Sequence, residues 1–166
     1  MVLTKSELIA LLQKEVRLLL HLTTKIDAAA LDYRPTPKQR STLELLRYLT
    51  NMGPQLVQGA KTGTFNVEAW TKASQEAEAR DFNQTVKALA AQHDAYAALI
   101  GPMTDADFRE TVNMFGTPMS RGAFIVNLVL AGCAAYRTQI FLYLKANGRE
   151  ELTTANLWGG ADPQPA

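Results

Sequence analysis

Between Ser120 and Gly148 the chain contains no histidine, aspartate or glutamate, and its apolar residues recur at helical spacing. Ser120 suits the N-cap of such a helix and Gly148 its left-handed C-terminal position. A helix over Ser120 to Asn147 would be about 42 Å long. Its most apolar part, Ala123 to Tyr136, is 14 residues long and carries Asn127, short of the roughly 20 needed to cross a bilayer. The stretch therefore reads as a buried core helix, which other helices must cover.

Three further helical patterns supply that cover. The first opens on Thr4-Lys5-Ser6-Glu7, where the threonine hydroxyl and the glutamate carboxylate can satisfy free amides of the first turn reciprocally, and Leu8, Leu12, Val16, Leu19, Leu20 and Ile26 mark one face. The second has the same kind of start, Ser41-Thr42-Leu43-Glu44, with Leu45, Tyr48, Leu49, Met52 and Leu56 along one side and Pro54 as an expected kink. The third starts near Asp81, with Gln84 three residues on, and carries Phe82, Val86, Leu89, His93, Tyr96, Ala97 and Ile100 as a stripe ending at Gly101-Pro102.

The connections are less regular. Leu31 to Pro37 holds two prolines and reads as a rigid connector. From Gly59 to Arg80 the pattern weakens around Gly63, Phe65 and Trp70, which predicts a loop with room for a short helix, packed on aromatic anchors. Thr104 to Asp107 suggests a single helical turn, followed by an extended piece from Arg109 to Met114. The resulting expectation is one all-α domain over residues 1–166, a four-helix bundle with a long crossover. Residues 1–150 make the helical part. Residues 151–166 form a tail in which Leu152, Leu157 and Trp158 fold back, while Gly159-Gly160 and Pro163 to Ala166 are mobile.

Seventeen Lys+Arg against sixteen Asp+Glu, with no basic run, argue against a nucleic-acid partner, whose phosphates would need neutralising. The single Cys133 excludes an intramolecular disulfide and multi-thiolate metal sites. With no basic, apolar, small-residue leader pattern at the N-terminus, it suggests a reducing, cytoplasmic setting without a membrane partner.

Five pieces of sequence carry a family likeness: Tyr33-Arg34-Pro35-Thr36-Pro37; Ser41-Thr42-Leu43-Glu44-Leu45-Leu46; Ala135-Tyr136-Arg137-Thr138-Gln139-Ile140; Tyr143-Leu144-Lys145-Ala146-Asn147-Gly148; and Asn156-Leu157-Trp158-Gly159. In this order and spacing they resemble the DinB/YfiT-like family over nearly the whole chain. The resemblance implies a four-helix bundle with one long crossover, commonly a homodimer. Many members hold a divalent metal with three histidines, one on the second helix and two before an Arg-x-Gln on the fourth, and some relatives are thiol-dependent transferases or isomerases. Here those three positions fall on Tyr48, Gly132 and Tyr136. None can serve as an imidazole donor, so neither a metal nor any other cofactor is expected there.

Two readings of the vacated centre follow. Tyr48 and Tyr136 can fill the volume by packing, their hydroxyls bonded to each other, to backbone or to water. Alternatively Gly132 and the two phenols line a small pocket for a small-molecule ligand, with Arg137 available to meet an acidic group. A glycine inside a helix costs about 1 kcal/mol relative to alanine, which suggests that space is needed at Gly132. The function expected is a small-molecule-binding or protein-interaction module. The competing reading is a metal-dependent hydrolase or thiol-dependent transferase with ligands rearranged from His21, His93 and nearby Asp27 or Asp94. Cys133, within the most apolar run, is expected to be buried and inert.

Overall fold

The structure, a computed structural model, describes residues 3–164. The helices are α1 (Lys5–Thr23), α2 (Thr42–Thr62), α3 (Val67–Glu78), α4 (Phe82–Ile100), α5 (Asp105–Arg109) and α6 (Arg121–Ala146). Two short strands, β1 (Thr111–Met114) and β2 (Thr117–Ser120), lie in the crossover between α5 and α6. A 3-10 turn at Ala28–Ala30 and a π turn at Ala155–Gly159 complete the regular structure of the described residues.

Local hydrogen bonds set where the helices begin. Thr4 and Glu7 cap α1 reciprocally, as Ser41 and Glu44 cap α2 and Asp81 and Gln84 cap α4. In each box the residue at the third position accepts from the cap amide, at 2.7 Å for Glu7 and Glu44 and 2.9 Å for Gln84. The C-terminus of α2 is stopped by Gly63, whose φ of 79° leaves the right-handed region. Gly148 does the same after α6, at φ 88°.

The bundle consists of α1, α2, α4 and α6. Helices α4 and α6 each pack against both α1 and α2. Leu12, Leu22, Leu46, Ile100, Ile125, Val129, Ile140 and Leu144 are wholly excluded from solvent between them. By length and composition α6 is apolar enough to cross a membrane, with a mean hydropathy of 1.4 over its most apolar window. In the fold it forms one wall of the bundle and is not the buried core helix expected: within Ala123 to Tyr136 only Phe124, Ile125 and Val129 are buried.

Three features depart from the sequence reading. The segment Gly59 to Arg80 is mostly helical: α2 continues through Pro54 to Thr62, and α3 is a full 12-residue helix capped by Asn66, which accepts from the Ala69 amide at 2.9 Å. Its stripe is weak because α3 packs mainly on α2 and buries only Ala77 completely. The extended piece ending at Met114 pairs antiparallel with Thr117–Ser120, in register Val112↔Met119 and Asn113↔Pro118. Phe115 and Gly116 make the two-residue turn, both left-handed at φ 60° and 80°, as this tightest hairpin connection requires. Third, α6 contains a π segment, Ile125–Leu130, which shifts the register of its first turn against the rest.

The tail packs back through buried Leu152 and Asn156 and half-buried Leu157, while Trp158 stays largely exposed. Gly160, expected to be mobile, is held at φ 64° against α1: a Cβ there would lie 2.9 Å from a methyl of Leu18. Asp162 accepts from Lys25 and from Asn156. Pro165 and Ala166, also expected to be mobile, lie outside the described residues.

Candidate functional site

Tyr48 and Gly132 stand on facing helices, and Tyr136, one turn after Gly132 on α6, joins them. The two phenol rings meet edge to face, with centroids 5.3 Å apart at 74°. Trp70 of α3 adds a second edge contact to Tyr48 at 6.1 Å. At Gly132 a Cβ would sit 3.4 Å from the Met52 methyl, an ordinary contact, so the space expected to be needed there is not demanded by helix packing. These side chains line an open cleft of about 420 Å³, completed by Leu56, Phe65, Phe115, Asn127 and Leu128. Asn127 and Leu128 belong to the π segment of α6. Phe115 reaches over from the hairpin tip, 5.3 Å from Phe65 and stacked at 6.2 Å on Phe124. It is 62% exposed and occupies a left-handed conformation that a bulky residue rarely adopts.

Burial, reinforced by the adjacent Tyr136 phenol, pushes the Tyr48 hydroxyl up to about 12, although the Arg40 guanidinium, 4.0 Å above its ring, pulls the other way. Cys133 faces away from this cleft, toward Tyr96, whose hydroxyl is 3.9 Å from the sulfur. Burial pushes the thiol to about 12 as well, so it is protonated and unreactive at neutral pH. Burial raises the Tyr96 phenol well above its ordinary value. That ring is wholly enclosed and lies over Gly53, where a Cβ would fall 1.9 Å from its oxygen.

Such a donor set does not fit a divalent metal. Zinc and nickel take imidazole, carboxylate or thiolate, and this wall offers two phenols, a glycine and an amide. Among the described residues no group of three His, Cys, Asp or Glu side chains gathers anywhere. His21 and His93 are not brought together in a common site. His21 Nε2 lies 3.1 Å from the Asn156 amide and 3.8 Å from Asp162, and desolvation followed by the Lys25 charge lowers its pKa. His93, expected on the apolar stripe, is a surface residue paired with its neighbour Asp94 at 3.0 Å.

Arg137 does not join the cleft either, which corrects the expectation that it could meet an acidic ligand there. One residue further round α6 than Tyr136, it is 1% exposed. It grips Glu15 with Nε and Nη2 at 2.7 and 3.3 Å and donates to the Leu157 carbonyl from Nη1. Trp158 covers it at 5.0 Å. Its donors serve the junction of α1, α6 and the tail.

A second, polar cleft of about 360 Å³ opens between α2 and α3, lined by Arg40, Glu44, Arg47, Asn51, Ser74 and Glu78 together with Tyr48 and Trp70, which line both clefts. Arg47 donates from Nε and Nη2 to the Arg80 carbonyl. Glu44 is held by the Ser41 amide and by Arg34. Sequence reasoning missed Asn51, Phe65, Trp70 and Phe115 as lining residues. The last had a signal, an aromatic next to glycine between two apolar stretches.

The sequence model of the DinB superfamily matches residues 11–130. Among solved structures the chain is similar to YjoA, a DinB-like protein of Bacillus subtilis, at 15% identity and a TM-score of 0.68, covering 88% of this chain and 94% of that one. None of the curated proteins matches it.

Proposed function

Because the chain belongs to the DinB superfamily, we propose that it is a small-molecule-binding domain in which an aromatic cleft stands where the family resemblance puts three metal-binding histidines. The observation that carries this reading is the convergence of Tyr48, Gly132 and Tyr136 on one open cleft whose other walls are almost wholly apolar. With no charged side chain among its lining residues, the cleft favours an uncharged, planar, apolar molecule. Its rings offer edge and face contacts, and affinity comes chiefly from apolar surface removed from water. No step of bond-making is assigned to it.

Elemental analysis of protein purified without chelator, followed by thermal unfolding with a panel of planar apolar compounds, tests the proposal. Zinc and nickel well below one per chain, even after incubation with either, and a concentration-dependent rise in melting temperature with a planar ligand are expected. Stoichiometric metal, or a melting temperature that no compound moves, overturns it. The combined variant Tyr48→His, Gly132→His, Tyr136→His should acquire zinc affinity if the three positions are equivalent to the family's ligands. The homodimer implied by the resemblance belongs to the same reading; a one-chain mass by light scattering removes it.

A further inference from the structure

We propose that the polar cleft and the aromatic cleft form one two-part site, selective for a planar aromatic molecule whose polar end carries an uncharged O–H or N–H donor. This rests on the aromatic-cleft reading above and adds the chemistry of the ligand's other end.

Asn51 carries the inference. It is 5% exposed, and its amide nitrogen donates to Ser74 Oγ at 2.8 Å and to the Trp70 carbonyl at 3.4 Å. Its carbonyl oxygen is buried and accepts no hydrogen bond. A buried acceptor without a donor is costly and uncommon, and this residue lines the polar cleft. Tyr48 and Asn51 are three residues apart on α2 and so share a face. Since Tyr48 and Trp70 line both clefts, a ring system seated against them would bring its polar end to the wall that holds Asn51, whose enclosed oxygen it reaches by displacing the long 3.4 Å contact to the Trp70 carbonyl.

Charge gives the rest of the specificity. The polar cleft holds two arginines and two glutamates. Arg47 is engaged by a backbone carbonyl, Glu44 by its cap and Arg34, and the Arg40 guanidinium lies over the Tyr48 ring. With the charges balanced and three of the four engaged, the cleft selects by hydrogen bonding more than by ion pairing. An unpaired acceptor favours a donor and disfavours the same molecule with that hydrogen replaced by methyl.

The test is calorimetric titration of the full chain with 2-naphthol and with 2-methoxynaphthalene, which differ by that replacement. 2-Naphthol is expected to bind about tenfold more tightly, and Asn51→Leu should bring the two affinities together while leaving methoxynaphthalene binding in place. The Asn51 side-chain amide resonances should also shift with 2-naphthol and stay still with its methyl ether, a readout independent of whether the variant folds. Equal affinities in the natural protein overturn this proposal and leave the aromatic cleft standing. Failure of both compounds to bind overturns both.

Discussion

Tyr136 and Arg137 are neighbours on α6, about 100° apart around its axis, and they belong to opposite kinds of place. The tyrosine faces an open, uncharged cleft bounded by rings that touch edge to face. The arginine is sealed between α1 and the tail, with Glu15, the Leu157 carbonyl and the Trp158 ring around it. On one side volume is left without atoms; on the other each guanidinium nitrogen is engaged. A helix can thus carry a ligand-sized opening on one face because another face ties it firmly to the bundle.

The largest test of that contrast is Arg137→Ala. It strands Glu15, a carboxylate with only 12% of its side chain exposed, and breaking a buried ion pair from one side costs about 3–5 kcal/mol. A large fall in melting temperature is expected, and a change under about 1 kcal/mol would mean that the sealed side is no lock. Next comes Gly53→Ala. Its methyl would meet the enclosed Tyr96 hydroxyl at 1.9 Å, and overpacking of this kind costs about 1–3 kcal/mol, measurable by urea unfolding.

On the open side the effects are smaller and of opposite sign. Phe115→Asn replaces a bulky left-handed residue by one that tolerates the conformation, so stability is expected to hold or rise by up to about 1 kcal/mol. Affinity for a planar ligand should fall, because the cleft loses its outer wall. Gly132→Ala is expected to stabilise α6 by about 0.5–1 kcal/mol, since the new methyl makes ordinary contact with Met52; a loss of stability would mean that the cleft wall tolerates no added atom.

The last effect appears only at alkaline pH. Cys133 titrates near 12 when folded against an ordinary value of about 9, so as pH rises through 9 the unfolded chain releases its proton first. The stability this thiol contributes is complete below about 9 and is lost as pH climbs toward 12. Melting temperature between pH 8 and 11 should therefore fall more steeply for the natural protein than for Cys133→Ala, and parallel slopes would remove the thiol from the account.

What was legible in the sequence follows the reach of each interaction. The capping boxes at Thr4, Ser41 and Asp81, and Gly148 after α6, span three or four residues, and short-range pattern reveals them. The all-α fold and the four bundle helices rest on the same periodicity. Helix α3 was harder, because it offers one narrow stripe to a single neighbour, and β2 was hidden by Pro118, which cannot donate to a ladder. The cluster of Tyr48, Gly132 and Tyr136 could be named from family resemblance, with nothing in their spacing to join them. Arg137 and Glu15 lie 122 positions apart, a pairing that no local pattern encodes, and so the sequence points the arginine to its neighbour's cleft. Asn51 and Gly53 matter through what faces them from α3 and α4, which only the fold discloses.

The sealing of Arg137 also gives the protein an order of completion. All four bundle helices exist once Ala146 has been synthesised, yet the guanidinium in their midst still waits for the Leu157 carbonyl and the Trp158 ring, eleven and twelve residues later. A chain cut after Asn147 keeps the residues of all four bundle helices but lacks the cover over Arg137. The segment holding Leu157 and Trp158 is thus the one that supplies it, and proteolytic trimming behind Leu152 would act as a slow leak in a bundle that otherwise looks finished.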